Sequence, residues 1–173
     1  MRNLTLKFFC TSGILTLISA CNNYSISVNN NTVYTPPPLF KDFNIADVHL
    51  RDCVQQTIID KHVTKSQDLK QLNCSNAGIE SLSGIETFSA LEQINFAENK
   101  INSISQLSKL TQIQTLILRK NNLTDAEPLL HLMHLKELDI SENGNLSCGD
   151  LKQMKSNFHH GELNAVLPEQ CKI

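Results

Sequence analysis

Histidine and cysteine are the residues of this chain with the greatest capacity for site chemistry, and the sequence contains six of each. Two histidine pairs are close enough in sequence to share a metal ion if an acidic side chain supplies a third ligand. The candidate ligands are His131, His134, His159, His160, Asp150 and Glu162. Surface exposure explains the same histidines without a metal, since histidine is common on protein surfaces. We therefore expect no metal site and no cofactor.

Four cysteines remain once the two in the amino-terminal region are set aside: Cys53, Cys74, Cys148 and Cys171. Their even number is typical of a disulfide framework, for which three pairings exist on paper. No C-x-x-C spacing is present, so a metal or redox site is the less favoured alternative. The sequence also lacks a phosphate-binding loop, a nucleophile elbow and a zinc-protease helix. These observations disfavour an enzyme.

The chain repeats with a fixed period of 22 residues, and this repeat must position any functional side chain. Its four copies begin at Leu69, Leu91, Ile113 and Leu135. Apolar side chains recur at positions 4, 6, 11, 14, 17 and 20 of a copy, although the fourth copy departs from this pattern after Asn143. Such a period indicates a stack of similar supersecondary units. A stack exposes a continuous face, which favours binding over catalysis.

Position 9 of the repeat is asparagine in three copies, as Asn99, Asn121 and Asn143. The chain must bend there after a short strand, and a buried amide can hydrogen-bond the backbone of the bend and of the next coil. We therefore expect a structural asparagine ladder, which ends at the first copy because Ala77 occupies the same position. The alternative is that asparagine only marks a turn. Its recurrence at one register favours the ladder.

The copies follow the pattern L-x-x-L-x-L-x-x-N-x-I-x-x-I-x-x-L-x-x-L-x-x, which resembles the 22-residue leucine-rich repeat of the internalin type. The resemblance covers roughly Leu69 to Met154. It implies an α/β fold, a right-handed leucine-rich-repeat solenoid of about four coils. Short parallel strands would line the concave side, with 3₁₀ turns or extended chain on the convex side. A helical N-terminal cap and a disulfide-stapled C-terminal cap would close the two ends.

The stacked coils favour one cysteine pairing over the others. Cys74 and Cys148 belong to the first and last coils, roughly 15 Å apart. Because a disulfide requires Cα atoms within about 7 Å, Cys74 should bond upstream to Cys53 and Cys148 downstream to Cys171. Each bridge would stabilise the fold by roughly 3 kcal/mol in the chain-entropy model.

Both bridges would staple a cap to the stack. Asp47 is placed to cap a helix that runs to about His62, and Asp47-x-x-Leu50-Arg51-x-Cys53 resembles the N-terminal cap of internalin-type proteins. At the other end a second helical stripe is formed by Leu151, Met154 and Phe158. Residues 163–168 should then cross the last coil and deliver Cys171.

The amino terminus predicts export and lipidation. Arg2 and Lys7 precede an apolar run over residues 8–20 that is too short to span a bilayer comfortably but fits a secretory signal. Ile18-Ser19-Ala20-Cys21 resembles a bacterial lipobox, in which Cys21 would carry the lipid (palmitate among its acyl chains). The alternative is an ordinary signal peptide with a chance cysteine. Asn22 after the lipidated cysteine favours the outer over the inner membrane in a Gram-negative cell.

Asparagine and proline dominate the segment after Cys21, which leaves little apolar surface to bury and predicts an extended tether. The predicted organisation is a lipoprotein signal peptide (1–20), a lipidated cysteine with a disordered tether (21–39), an N-terminal cap (40–68), leucine-rich repeats (69–148) and a C-terminal cap (149–173).

The strand region of each copy predicts the side chains of a concave binding face. The candidate ligand-binding residues are Gln71, Asn73, Gln93, Asn95, Thr115, Ile117, Arg119, Glu137 and Asp139. Among them, Arg119 beside an exposed Ile117, with the acidic Glu137 and Asp139 on the next coil, is the cluster that we expect to contact a partner. The alternative is a solvated sheet face in which Arg119 pairs with its acidic neighbours.

Charge and composition restrict the kinds of partner that this chain is expected to bind. Removing the signal leaves 13 Lys and Arg against 17 Asp and Glu, which disfavours nucleic acid. Tryptophan is absent and other aromatic residues are few, so we expect modest affinity. The sequence predicts a monomeric, membrane-anchored binding module for protein or glycan recognition at the bacterial cell envelope. The alternative is a structural or accessory envelope lipoprotein that scaffolds a larger assembly.

Overall fold

A computed structural model of the chain describes residues 26–28, 31–34, 37–157 and 163–172. They divide into two units at Pro37, each treated separately below. In the first unit, β1 (Ile26–Val28) pairs antiparallel with β2 (Asn31–Tyr34). Where the sequence predicts a disordered tether, the structure thus has a short hairpin, since both strands are rich in residues that favour extended pairing. The signal segment and Cys21 lie outside the described residues.

The second unit is built around one parallel sheet. Its strands are β3 (Gln71–Asn73), β4 (Gln93–Asn95), β5 (Thr115–Ile117), β6 (Glu137–Asp139) and β7 (Asn164–Val166), in that order. From β3 to β6, each strand residue pairs with the residue 22 positions further along the chain, which is one full repeat. Leu72, Ile94, Leu116 and Leu138 therefore form a single column. The stacked solenoid expected from the sequence is confirmed.

3₁₀ turns form the opposite side of the first three coils, and two more lie before β3 and after β7. They span Ser66–Asp68, Ile85–Thr87, Ser105–Lys109, Glu127–His131 and, after the last strand, Glu169–Cys171. Leucine, isoleucine and phenylalanine side chains from both sides meet between the two layers, where most are fully buried. Burial of this continuous apolar interior stabilises the stack, because no single coil could bury its apolar face alone.

The position-9 asparagines hydrogen-bond between coils. Asn99 accepts from the backbone N–H of Ile79 on the preceding coil at 3.0 Å and donates to the carbonyl of Cys74 at 2.9 Å. Asn121 makes the corresponding bonds to Ile101 and Phe96. The third rung, Asn143, is fully buried and bonds the backbone of the third coil in the same way. The amides thus satisfy backbone groups that water cannot reach.

Helix α1 (Val48–Asp60) covers the edge of β3. Its N-cap, Asp47, accepts from the backbone N–H of His49 and Leu50 with Oδ1, and from those of Glu80 and Ser81 on the first coil with Oδ2. Burial, the largest single influence, raises the pKa of Asp47, but the four backbone hydrogen bonds together lower it below its ordinary value. One carboxylate thus caps the helix and joins it to the stack.

Two disulfides fasten the ends of the stack. Cys53 of α1 is bonded to Cys74 beside β3, with Cα atoms 5.9 Å apart. At the other end Cys148 is bonded to Cys171, with Cα atoms 5.2 Å apart. Both are the pairings expected from the stacked coils.

The C-terminal cap differs from expectation in one respect. Helix α2 (Gly149–Asn157) buries Leu151 and Met154, whereas Phe158 lies outside the described residues. Instead of merely crossing the last coil, the segment after it contributes β7, which pairs in parallel with β6. The sheet therefore has five strands rather than four. Sequence periodicity could not reveal β7, because the strand belongs to no repeat.

Candidate binding face

Two columns of outward-facing side chains run across the sheet. The first contains Gln71, Gln93, Thr115, Glu137 and Asn164. The second contains Asn73, Asn95, Ile117, Asp139 and Val166. The fifth strand thus adds Asn164 and the half-exposed Val166 to the predicted residues. Both were missed because their strand lies beyond the last repeat.

The second column is oriented by the backbone at the strand ends. Asn73 Oδ1 accepts from the N–H of Ser75 at 3.2 Å, and Asn95 Oδ1 accepts from that of Ala97 at 3.0 Å. Asp139 makes the same bond to Ser141 at 3.0 Å. Since one oxygen is held in each case, the outer group is an amide N–H₂ on β3 and β4 and a carboxylate oxygen on β6. The two ends of the face therefore differ in chemistry.

The sequence predicted that Arg119 would be free to contact a partner, but its side chain is held in ion pairs. Its guanidinium donates to Glu98 at 2.7 Å and to Glu142 at 2.8 Å, and Lys120 lies 3.4 Å from Glu98. Lys120 and then Arg119 lower the pKa of Glu98, while the hydrogen bonds to Glu142 and Glu98 raise that of Arg119. Arg119 therefore pairs with acidic neighbours, but not with the expected Glu137 and Asp139.

The backbone at position 8 explains this choice of partners. Glu98, Lys120 and Glu142 have φ of 59°, 58° and 57°, an uncommon left-handed conformation for residues other than glycine. They stand immediately after Arg119 and its equivalents on neighbouring coils, so the charged side chains form a row along one rim of the face. Because opposite charges alternate in this row, the two cations are largely neutralised there.

A depression of about 340 Å³ lies between α1 and the first three strands. Thr57, Asp60 and Lys61 from the end of α1 form one wall. The floor carries the amides of Gln71, Asn73, Gln93 and Asn95, with Thr115 and Ile117 at the far side. Eight of the nine predicted concave residues are thus in the two columns of the face. Six of the eight line this depression, whereas Glu137 and Asp139 lie beyond it on β6.

The candidate metal ligands named from the sequence are not brought together as a site in the described part of the chain. No group of three or more His, Cys, Asp or Glu side chains there is arranged to hold a metal ion. His131 lies 3.1 Å from Glu127, one turn earlier in the same exposed 3₁₀ segment. His159, His160 and Glu162 are outside the described residues. Of the helices that are described, none has the length and apolar character needed to cross a membrane.

Comparisons with known proteins agree with this geometry. No protein-family model matches the sequence, and no curated protein matches it. Among solved structures, the internalin InlF of Listeria monocytogenes is similar at 29% identity and a TM-score of 0.54, over 58% of this chain and 31% of InlF. The fold is an internalin-type leucine-rich repeat. Internalin C2 of the same species is similar at 21% identity and a TM-score of 0.52, over 58% of this chain and 47% of that protein. The chain thus matches less than half the length of either.

Proposed function

We propose that this chain is a recognition module of the bacterial cell envelope that binds a partner protein through the concave face of its sheet. The observation that carries the proposal is the open face itself. Five parallel strands present two columns of side chains to solvent, and a depression forms where α1 meets them. Concave surfaces with a few oriented polar groups are common binding sites. The internalin-type fold supports the same conclusion, although fold alone does not identify a ligand.

The composition of the face suggests modest affinity. Ile117 and Val166 are the apolar residues in its two columns, and neither column contains an aromatic side chain of the kind that dominates strong interfaces. Many copies on one membrane could still bind a multivalent partner tightly through avidity. This expectation links the proposed anchor to the proposed binding.

The face can be tested with two apolar residues on opposite sides of the coil, one partly exposed and one exposed. Ile117 is in a central strand of the concave face, and Met133 is 62% exposed outside the sheet, after the third 3₁₀ turn of the repeats. We expect Ile117→Asp to abolish crosslinking of a partner on intact cells, because it places an unpaired charge in the contact. Met133→Asp should leave crosslinking unchanged. Equal crosslinking by both variants would show that the face is the wrong one.

Anchoring through Cys21 is a separate part of the proposal, supported by the lipobox-like sequence before it. Cells fed a radiolabelled fatty acid should label the wild-type chain but not Cys21→Ser. Equal labelling of the variant would contradict lipidation at Cys21. Protease treatment of intact cells then separates two roles. Digestion would place the module on the cell surface, whereas protection until the cells are broken would favour an accessory role inside the envelope.

A further inference from the structure

Two of the amides in the depression beside α1, those of Asn73 and Asn95, turn a hydrogen-bond donor outward. Asn73 and Asn95 each use Oδ1 to accept from the backbone, so Nδ2 is left as the outer group. Within residues 37–157 and 163–172, neither Nδ2 donates to a protein acceptor, although both side chains border the depression. Because the two side chains stand on adjacent strands, about 4.8 Å apart at the backbone, a ligand that satisfies this pair must offer separate acceptors to two neighbouring points on the face.

Charged groups at the rim of the depression have partners within the protein. Lys61 Nζ donates to the carbonyl of Gln71 at 3.3 Å, and Asp60 accepts from Gln56 at 2.7 Å. They are neighbours of opposite sign at the end of α1, so they add no net charge. A neutral site with oriented donors favours neutral acceptors, because an anion would leave water without an opposite charge to replace its hydration.

We infer that the depression binds the main chain of an extended polypeptide segment, whose carbonyl groups accept from Asn73 and Asn95. The inference rests on the proposed function and specifies its ligand. Gln71 and Gln93 lie opposite each other on the same two strands, two residues before the asparagines. Each side-chain amide offers a donor and an acceptor, and can therefore meet both the N–H and the C=O of a peptide group. An apolar side chain of the segment would contact Ile117 at the far side.

Replacing the two asparagines with aspartate tests this directly. Asp139 shows that the repeat accepts aspartate at this register, since its Oδ1 keeps the equivalent backbone hydrogen bond. Asn73→Asp with Asn95→Asp therefore preserves shape while it exchanges both outer donors for acceptors. The matched control is Asn102→Asp with Asn122→Asp, which adds the same charge at two exposed positions away from the strands. Circular dichroism checks that both variants fold.

The probe is a displayed library of random linear dodecapeptides, selected on the wild-type chain and followed by anisotropy of labelled winners. We expect the Asn73/Asn95 double variant to bind these peptides about tenfold more weakly or worse, and the control to match wild type. Replacing any single peptide residue with alanine should weaken binding less than the double variant does, because the main chain of the peptide makes the decisive bonds.

Three outcomes would overturn the inference. Undiminished binding by the double variant would place peptides elsewhere on the chain and leave the proposed function intact. Loss of binding on replacing one peptide side chain, greater than that in the double variant, would show side-chain recognition. Failure to select any peptide, with binding to a glycan array instead, would assign a different ligand class. Failure of the proposed function itself is read independently, from crosslinking by Ile117→Asp and Met133→Asp.

Discussion

Asn121 is the middle rung of the asparagine ladder, and its substitution tests how much the ladder contributes to the stability of the fold. Its Oδ1 accepts from the N–H of Ile101 at 3.0 Å, and its Nδ2 donates to the carbonyls of Phe96 and Leu118 at 2.9 and 3.0 Å. These three backbone groups belong to two adjacent coils. Removal of the amide would leave the Ile101 N–H buried and unpaired, while the two carbonyls would each lose one bond and keep another, from Asn99 and Asn143 respectively.

An unpaired buried backbone group costs about 1–3 kcal/mol. One unpaired N–H and two further lost bonds, each worth about 0.5–1.5 kcal/mol, predict that Asn121→Ala lowers the free energy of unfolding by about 2–6 kcal/mol. Asn121→Asp should be more destabilising still. Its carboxylate could keep the bond to Ile101, but its second oxygen would face the carbonyls of Phe96 and Leu118, and repulsion would replace two hydrogen bonds. Because small domains are stable by only about 5–15 kcal/mol, both variants should unfold at much lower denaturant concentration.

Urea unfolding followed by far-ultraviolet circular dichroism is the suitable assay. The chain has no tryptophan, and its two tyrosines, Tyr24 and Tyr34, are outside the repeats, so intrinsic fluorescence would not report on them. Asn122→Ala is the control, since Asn122 is exposed and adjacent. It should change stability by less than about 0.5 kcal/mol. The ladder argument would be refuted if Asn121→Ala matched this control, or if Asn121→Asp were the milder change.

Three further predictions concern the caps and the first coil. Asp47→Asn should lower stability at neutral pH and flatten its decline in acid. The folded-state pKa of Asp47 is depressed, so its contribution is present above the ordinary Asp pKa and is lost as the pH falls through the folded value; identical acid profiles would contradict this. Gly84→Ala should cost about 2–4 kcal/mol, since φ is +97° and a Cβ would lie 2.1 Å from the carbonyl oxygen of Asn44, whereas Gly144→Ala, with open space, should be nearly neutral; equal thermal midpoints would disprove the argument. Replacing Cys148 and Cys171 together with serine should cost roughly 3 kcal/mol, and an unchanged urea midpoint would show that the bridge does not restrain the unfolded chain.

The repeat made most of the fold predictable. A period of 22 residues brings each coil back to the same place, so the column through Leu116 and the ladder through Asn121 follow from sequence alone. The disulfide pairing followed too, because stacking places the first and last coils too far apart for Cys74 to reach Cys148.

Side-chain partners on the binding face were less predictable. The sequence places Glu137 and Asp139 on the coil next to Arg119, yet the guanidinium is held by Glu98 and Glu142. Sequence spacing gives the coil on which a charge lies but not the direction of a side chain. That direction follows here from left-handed backbone at position 8, which places two carboxylates on the same rim.

What the sequence by itself determined is the periodic interior, because burial of apolar side chains at a fixed spacing admits one stacked arrangement. Only the tertiary structure decided the fifth strand and the depression beside α1. Each of these depends on where non-repeating segments settle against the stack. Their contacts join residues far apart in the chain, and no local pattern records them.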